Sequence, residues 1–172
     1  MKKYLLLCFT IVNYLAFSQK DTTQMPVKIY HSQKYNFDIC YPDDWKEIKI
    51  EKHELLISEP NIKEGVVATT FDIQIDNDSP SLKSYIKKYK VTLNNSDIFK
   101  DVKILSEKKI IFKHNKAVEL HYSAVVQQIP IEWKSIIFRY NNNNFKLTTT
   151  SLMGNLLLMI NTTNNIYNSF KQ

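Results

Sequence analysis

A strand followed by a tight corner near the start of the chain restricts the fold more than any other feature. Apolar residues occupy every second position from Phe37 to Tyr41, which is typical of a half-buried β-strand. Pro42 has no N–H to offer a strand ladder, so we expect the strand to end there. The pair Asp43–Asp44 suits a solvated turn, and Trp45 follows it directly. We therefore predict that the chain reverses at this point and that Trp45 anchors the corner in the core.

The rest of the chain shows periodicities of both two and three to four residues. The period-2 segments predict strands and the others predict helices. We place the first helix after Ser79 as N-cap with Pro80 at its first position, and we expect turns at His114–Asn115, at Pro130 and at the asparagines 141–144. The predicted strands cover 27–30, 35–41, 46–50, 53–57, 66–76, 103–112, 116–126, 131–140 and 145–150, and the predicted helices cover 80–94 and the stretch beyond Gly154.

Three apolar stripes define the expected core. One face of the strand 66–76 is apolar, and one face of the strand 116–126 points inward. The first helix carries a single apolar stripe, and its lysines lie largely outside that stripe. Along the chain, the predicted order is strands, a helix, four more strands and a second helix. This order predicts an α+β domain in which helices cover an antiparallel sheet. The apolar face of the strand 66–76 consists of Val67, Thr69, Phe71, Ile73 and Ile75. The inward face of the strand 116–126 consists of Val118, Leu120, Tyr122, Ala124 and Val126, and the stripe of the first helix consists of Leu82, Tyr85, Ile86, Tyr89 and Leu93.

Several short stretches resemble the PsbP-like fold family, which includes the photosystem II subunit PsbP and the Ran-binding Mog protein. The resemblance implies an α/β/α sandwich with an antiparallel sheet. It implies no catalytic residue, metal ligand or cofactor, because members of the family bind different proteins and are largely non-enzymatic. The stretches are the corner 37–45, the strand 71–75, the helix start 81–85, the hairpin 115–120, the segment 145–148 after the asparagine turn, and Ser169–Phe170.

The first residues resemble an export signal. Met1–Lys3 is basic, the stretch from Tyr4 to Phe17 is mostly apolar, and the segment 16–18 suits cleavage. We therefore predict a signal peptide at 1–18, a leader at 19–26 and one domain at 27–172, located in the periplasm or outside the cell. A retained N-terminal anchor stays an alternative, whereas a lipid on Cys8 is disfavoured because Leu7 precedes it.

The composition excludes some function classes. The chain has 23 basic and 17 acidic residues, but the lysines are spread along it and form no basic block, so we predict no nucleic-acid binding. Its two glycines, at 65 and 154, exclude glycine-rich phosphate loops. Cys40 is the single cysteine beyond the predicted signal, so no disulfide can form within the exported chain.

The possible catalytic residues lack partners in the sequence. Asp43 and Asp44 are adjacent on a turn, where side chains diverge, whereas a catalytic pair must converge. Cys40 lies on a strand without a recognisable base and reads as a packed residue. Without a serine-hydrolase motif either, we predict that the protein is not an enzyme.

A metal site is also disfavoured. Glu119 and His121 share one face of a strand, but two ligands are too few for a tetrahedral metal, and His114 lies at the hairpin tip. The sequence that begins at His53 lacks the second histidine found in a zinc-binding helix. We therefore predict no transition metal and no cofactor.

Two groups of residues could instead form a binding surface. The lysines at 83, 87, 88 and 90 lie on the outer side of the first helix, where a solvated face is the ordinary explanation and an acidic partner or membrane surface the alternative. The aromatic residues Tyr85, Tyr89, Trp133 and Tyr140 should be part of the core, unless they are exposed on an uncovered sheet face.

We thus predict an exported, non-enzymatic protein that acts as a protein-interaction or envelope accessory factor. The alternative is a small-ligand or lipid-binding protein with a pocket between sheet and helices. A hydrolase would need histidine and carboxylate groups that converge in a cleft.

Overall fold

A seven-stranded antiparallel sheet forms the middle layer of the structure. The computed structural model describes residues 26–60 and 68–172. The elements are β1 (Val27–Ser32), β2 (Phe37–Pro42), β3 (Lys46–Glu47), β4 (Leu55–Ser58), β5 (Thr70–Asp76), α1 (Leu82–Asn94), β6 (Lys100–Phe112), β7 (Asn115–Val126), β8 (Ile129–Tyr140), β9 (Asn143–Leu152) and α2 (Ile160–Ser169).

The strand order of the large sheet is β3-β4-β5-β9-β8-β7-β6, and β1 pairs with β2 in a separate two-stranded sheet. Every neighbouring pair is antiparallel. The predicted α+β class is therefore confirmed. The small sheet is an addition to the prediction, because β1 and β2 pack on the large sheet and do not extend it.

One face of the large sheet packs against β2 and α2. Phe71 and Ile73 of β5 are fully buried there, as their alternation predicts. Phe170, directly after α2, stacks on Phe37 of β2 with ring centroids 5.0 Å apart. This aromatic contact joins the chain terminus to the strand that begins the corner.

The opposite face packs against α1. Leu120 and Tyr122 of β7 are buried there with Trp133 of β8, and Tyr85 and Leu93 of α1 cover them. The predicted inward face of β7 and the predicted stripe of α1 are thus confirmed. The structure has three layers: α1, the large sheet, and a third layer made of α2 with the two-stranded sheet.

The corner has the predicted form. The strand β2 ends at Pro42, whose carbonyl oxygen accepts a hydrogen bond of 3.1 Å from the Trp45 N–H, and Asp43 and Asp44 are exposed in the turn between them. Only 3% of Trp45 is exposed, and its side chain belongs to the core that includes α2. The predicted burial of Trp45 is confirmed.

The turns predicted at His114–Asn115 and at Pro130 need correction, whereas the turn predicted among the asparagines 141–144 is confirmed. The three turns fall at Lys113–His114, Gln127–Gln128 and Asn141–Asn142, and both central residues of each have positive φ. Such turns match the twist of a two-residue hairpin and favour Asn or Gly, so the glutamine turn carries no recognisable sequence signal. Pro130 therefore does not break the chain: it lies inside β8 and pairs with Val125.

Both helix starts also differ from the prediction. The N-cap of α1 is Ser81 rather than Ser79, because the Ser81 hydroxyl oxygen accepts a hydrogen bond from the Ser84 N–H at 3.1 Å. The second helix begins at Ile160, not directly beyond Gly154, whose φ of +90° suits a turn. Asn94–Asn95 ends α1 as predicted.

Three strands are shorter than predicted. β3 contains only Lys46–Glu47, β4 begins at Leu55, and β5 begins at Thr70 rather than at 66. The predicted signal peptide 1–18, nearly all of the leader 19–26, and Val67 of the predicted strand face lie outside the described residues.

Candidate functional site

A groove with an apolar floor lies between α1 and the hairpin formed by β6 and β7. Its volume is about 720 Å³. Leu82 and Ile86 of α1 form one wall, and Ile111 and Val118 of the hairpin form the floor and the other wall. The alternation of β6 and β7 places these hairpin side chains on the α1 face of the sheet.

The rim of this groove is basic. Lys83 of α1, Lys109 of β6 and Lys116 of β7 border it and are exposed. Its one acidic residue, Glu107, is paired with Lys90 at 2.5 Å. Within the described part of the chain, no carboxylate lies within ion-pair distance of the three rim lysines, so the rim carries excess positive charge.

The lysines predicted on the outer face of α1 lie in different settings. Lys83 borders the groove, Lys87 is exposed, and Lys90 pairs with Glu107. Lys88 pairs with Asp76 at 3.3 Å. Burial alone would raise the pKa of Asp76, but hydrogen bonds from Ser79 and Lys88 together with the Lys88 charge outweigh burial and lower that pKa.

The strand β6 is the last strand of the large sheet on this side. Among the described residues no strand pairs with its outer edge, so N–H and C=O groups along that edge face outward. Register shifts interrupt the first half of the strand, whereas the pairing from Ser106 to Phe112 is regular. Ile111, beside the groove, is 69% exposed. The groove and this regular edge form one continuous surface, which we call the β6 surface.

A second cleft, of about 360 Å³, lies on the opposite face of the sheet under the segment that follows Gly154. His121 pairs there with Glu132 of β8, with Nε2 and Oε2 separated by 3.0 Å. The other Glu132 oxygen accepts hydrogen bonds from the backbone N–H groups of Gly154 at 2.8 Å and Leu156 at 3.3 Å. Glu132 therefore holds both the imidazole and the segment after β9.

The predicted metal-ligand candidates do not converge in this cleft. Glu119 pairs with Lys134 at 3.2 Å, so both acidic groups of the cleft have a basic partner. His114 is exposed at the tip of the β6–β7 hairpin. No group of three or more possible metal ligands occurs among residues 26–60 and 68–172.

The cleft meets one condition for a hydrolase, since a histidine and a buried carboxylate converge in it. Ser106 lies opposite His121 in the β6–β7 register, but no hydrogen bond joins the two side chains in the described structure. Glu132 and Lys134 are not among the site residues predicted from the sequence. Both alternate with apolar residues on β8 and so resemble solvated positions.

The remaining candidates have structural contacts. The backbone N–H of Cys40 donates to the Ser169 hydroxyl at 2.7 Å, and that hydroxyl donates to the Cys40 carbonyl at 3.0 Å, so this residue ties β2 to α2. Tyr85 and Trp133 are buried as predicted, whereas Tyr89 and Tyr140 are partly exposed. His53 lies on the α1 face, 3.1 Å from the Asp72 carboxylate.

The layers define a class of α+β sandwich in which helices cover both faces of an antiparallel sheet. Solved structures similar to the chain include cyanobacterial PsbP (CyanoP) from Synechocystis sp. PCC 6803, with TM-score 0.65, 8% identity, and coverage of 88% of this chain and 95% of that one. LpqN, involved in cell envelope biogenesis of Mycobacterium tuberculosis, gives TM-score 0.59, 13% identity, and coverage of 94% and 95%. The Ran-binding protein Mog1p of Saccharomyces cerevisiae gives a TM-score of 0.56 and 7% identity, with coverage of 86% of this chain and 95% of that one.

The chain therefore has the PsbP-like fold, and the resemblance read from its sequence is confirmed at the level of fold. No protein-family model and no curated protein sequence matches it. In the described residues, no helix combines the length and apolar character needed to cross a membrane.

Proposed function

We propose that this protein is an exported, non-enzymatic interaction factor that binds an acidic, extended segment of a partner protein along the β6 surface. The observation that carries the proposal is the combination of an unpaired strand edge with a basic, apolar groove beside it. An added strand would pair with the edge through its backbone, and alternate side chains would enter the groove.

Charge selects the kind of segment. The rim lysines Lys83, Lys109 and Lys116 would attract carboxylates, while the apolar floor would accept the side chains between them. Lysines on an edge strand also repel a second copy of the same edge. An acidic partner strand therefore fits this surface better than a copy of this chain does.

The structural neighbours support an interaction role in general terms. Mog1p binds Ran and LpqN takes part in envelope biogenesis, so the fold occurs in proteins with such roles. The basic and apolar N-terminal sequence supports export. The reading as a non-enzyme is supported by the pairing of the cleft residues Glu119 and His121 with Lys134 and Glu132.

Photo-cross-linking tests the position of the partner. A photoreactive residue would replace Ile111 on the β6 surface, and the control would replace Ile29 of β1, since both side chains are 69% exposed. We expect adducts in the native exported fraction from position 111 only. Adducts of equal yield from both positions, or none at 111, would contradict the proposal.

A defined peptide tests the chemistry. The probe is a synthetic peptide in which glutamate and isoleucine alternate, and the comparison peptide carries lysine in place of glutamate. Hydrogen exchange should slow for backbone amides between Ser106 and Phe112 with the acidic peptide only. Reversal of Lys83, Lys109 and Lys116 to glutamate should abolish that protection.

The matched control reverses three exposed lysines elsewhere, namely Lys28, Lys49 and Lys171. This control changes the net charge by the same amount and should leave the protection intact. Equal loss in both triple variants would mean that binding follows net charge alone, and the β6 surface would then have no special role.

A further inference from the structure

A cavity of about 310 Å³ lies on the other side of α1, between that helix and the strands β4, β5 and β9. One end of it is polar, with Asp72 of β5 and Lys146 of β9. The other end is aromatic, with Trp133 of β8 and Phe99, whose ring centroids lie 5.3 Å apart in an edge-to-face arrangement. The cavity thus has a charged end and an aromatic end, and it is separate from the β6 surface.

Lys146 is buried without an ion-pair partner. Its residue surface is 7% exposed, and within the described part of the chain no carboxylate lies within ion-pair distance of its Nζ. The Nζ lies 4.3 Å from the centroid of the Tyr89 ring. The nearby Asp72 is already engaged, because its Oδ2 accepts a hydrogen bond from Gln74 at 2.9 Å and lies 3.1 Å from Nδ1 of His53.

A lysine in this position does not serve the stability of the fold. Burial without a paired carboxylate disfavours an ammonium group, and an apolar side chain of similar size usually fits such a place as well or better. In agreement with this, burial lowers the pKa of Lys146, and the charge of Asp72 opposes that change only in part. A bound anion would supply the missing counter-charge.

We propose that this cavity binds a small organic acid, with its carboxylate on Lys146 and a ring or short apolar body toward Trp133 and Phe99. Thr70 and Thr150 line the cavity, and a threonine hydroxyl can hydrogen-bond such a ligand. The volume falls at the lower limit of ordinary ligand pockets, roughly 300–1,000 Å³, which suits a single-ring molecule.

The charges of the cavity favour a carboxylate over a phosphate. Lys146 supplies one positive charge, while Asp72 in the same cavity disfavours a ligand with two negative charges. The one arginine of the chain, Arg139, is occupied elsewhere: its Nη1 donates to the Ser79 carbonyl at 3.0 Å and to Asn144 Oδ1 at 3.2 Å. A monoanion with an apolar body fits this balance.

Titration with phenylacetate, followed by NMR of the indole N–H groups, tests the proposal. The chain has two tryptophans, and Trp45 lies in the core on the opposite face, so it serves as an internal control. We expect a saturable shift of the Trp133 signal and no shift of the Trp45 signal. Uncharged phenylacetamide should bind at least about tenfold more weakly, because it lacks the charge-assisted hydrogen bond to Lys146.

Two lysine variants complete the test. Lys146→Met keeps most of the length of the side chain and removes its charge, and it should weaken phenylacetate binding by about tenfold or more. Lys134→Met is the matched control, since Lys134 borders the cleft on the opposite face of the sheet. Circular dichroism of both variants would show that they fold.

The proposal is overturned if phenylacetate gives no saturable shift of the Trp133 signal. It is also overturned if the acid and the amide bind equally well, or if both lysine variants weaken binding to the same extent.

Discussion

Replacement of Trp45 by alanine should destabilise the domain by about 3–5 kcal/mol. Trp45 is only 3% exposed, and it packs in the core that joins the large sheet to α2. A buried aromatic side chain removes roughly 150–250 Å² from water, worth about 4–6 kcal/mol at about 25 cal/mol per Å². Partial burial in the unfolded chain reduces this by roughly 10–40%.

The expected loss is large compared with the roughly 5–15 kcal/mol that stabilises an ordinary domain. For a domain of this length it corresponds to a fall in melting temperature of roughly 6–20 °C. Urea unfolding followed by circular dichroism gives the free energy directly, provided that the slope against denaturant is unchanged. Trp45→Phe should lie between the alanine variant and the wild type, because it keeps most of the buried apolar volume.

Asp44→Ala is the matched control, since Asp44 precedes Trp45 in the same turn and is exposed. A surface change of this kind usually alters the free energy of unfolding by no more than about 0.5 kcal/mol. If Trp45→Ala has as small an effect as Asp44→Ala, the corner does not anchor the core, and the reasoning from burial is wrong.

Three further predictions concern Lys146, export and metals. Lys146→Met should be at least as stable as the wild type at neutral pH, and its advantage should shrink as the pH approaches about 10.5. The pKa of Lys146 is lower in the folded protein than in the unfolded chain, so the unfolded chain binds more protons in this pH range. The stability of the wild type therefore rises with pH. Denaturant unfolding of both proteins at several pH values measures this, and a constant difference would contradict it. Intact-mass analysis of the exported protein should show loss of residues 1–18; a chain that keeps Met1 or carries lipid on Cys8 would refute that cleavage. Metal analysis after purification without added ions should find no stoichiometric transition metal, whereas retained metal that is lost in His121→Ala would overturn the prediction.

The sequence predicts the core of this protein better than its polar interior. Alternation along β5 and β7 correctly assigns Phe71, Ile73, Leu120 and Tyr122 to buried faces, because every second residue of a strand lies on the same face of the sheet and is buried where a layer covers that face. The same rule assigns Lys146 to a polar position on β9. Alternation does not report which layer covers that position, so the burial of this lysine follows only from the packing of distant elements.

Glu132 illustrates the same limit on the opposite face of the sheet. It is buried because the backbone of Gly154 and Leu156 folds over it and donates hydrogen bonds to its carboxylate. Nothing local to β8 distinguishes it from a solvated glutamate. The contact depends on where β9 ends and α2 begins, and helix starts were among the predictions that needed correction.

The width of α1 explains why both proposed binding regions lie beside it. A helix with its side chains is about 10 Å across, whereas seven strands spaced about 4.8 Å apart span roughly 29 Å. One helix therefore covers only part of its face of the sheet, where Tyr85 and Leu93 pack on β7 and β8. Space is left beside the helix on each side: the groove lies toward β6, and the cavity with Lys146 lies toward β5 and β9. An exposed apolar surface beside the helix would be prone to aggregation, whereas the exposed lysines at 83, 109 and 116 keep the groove solvated and available to an acidic partner.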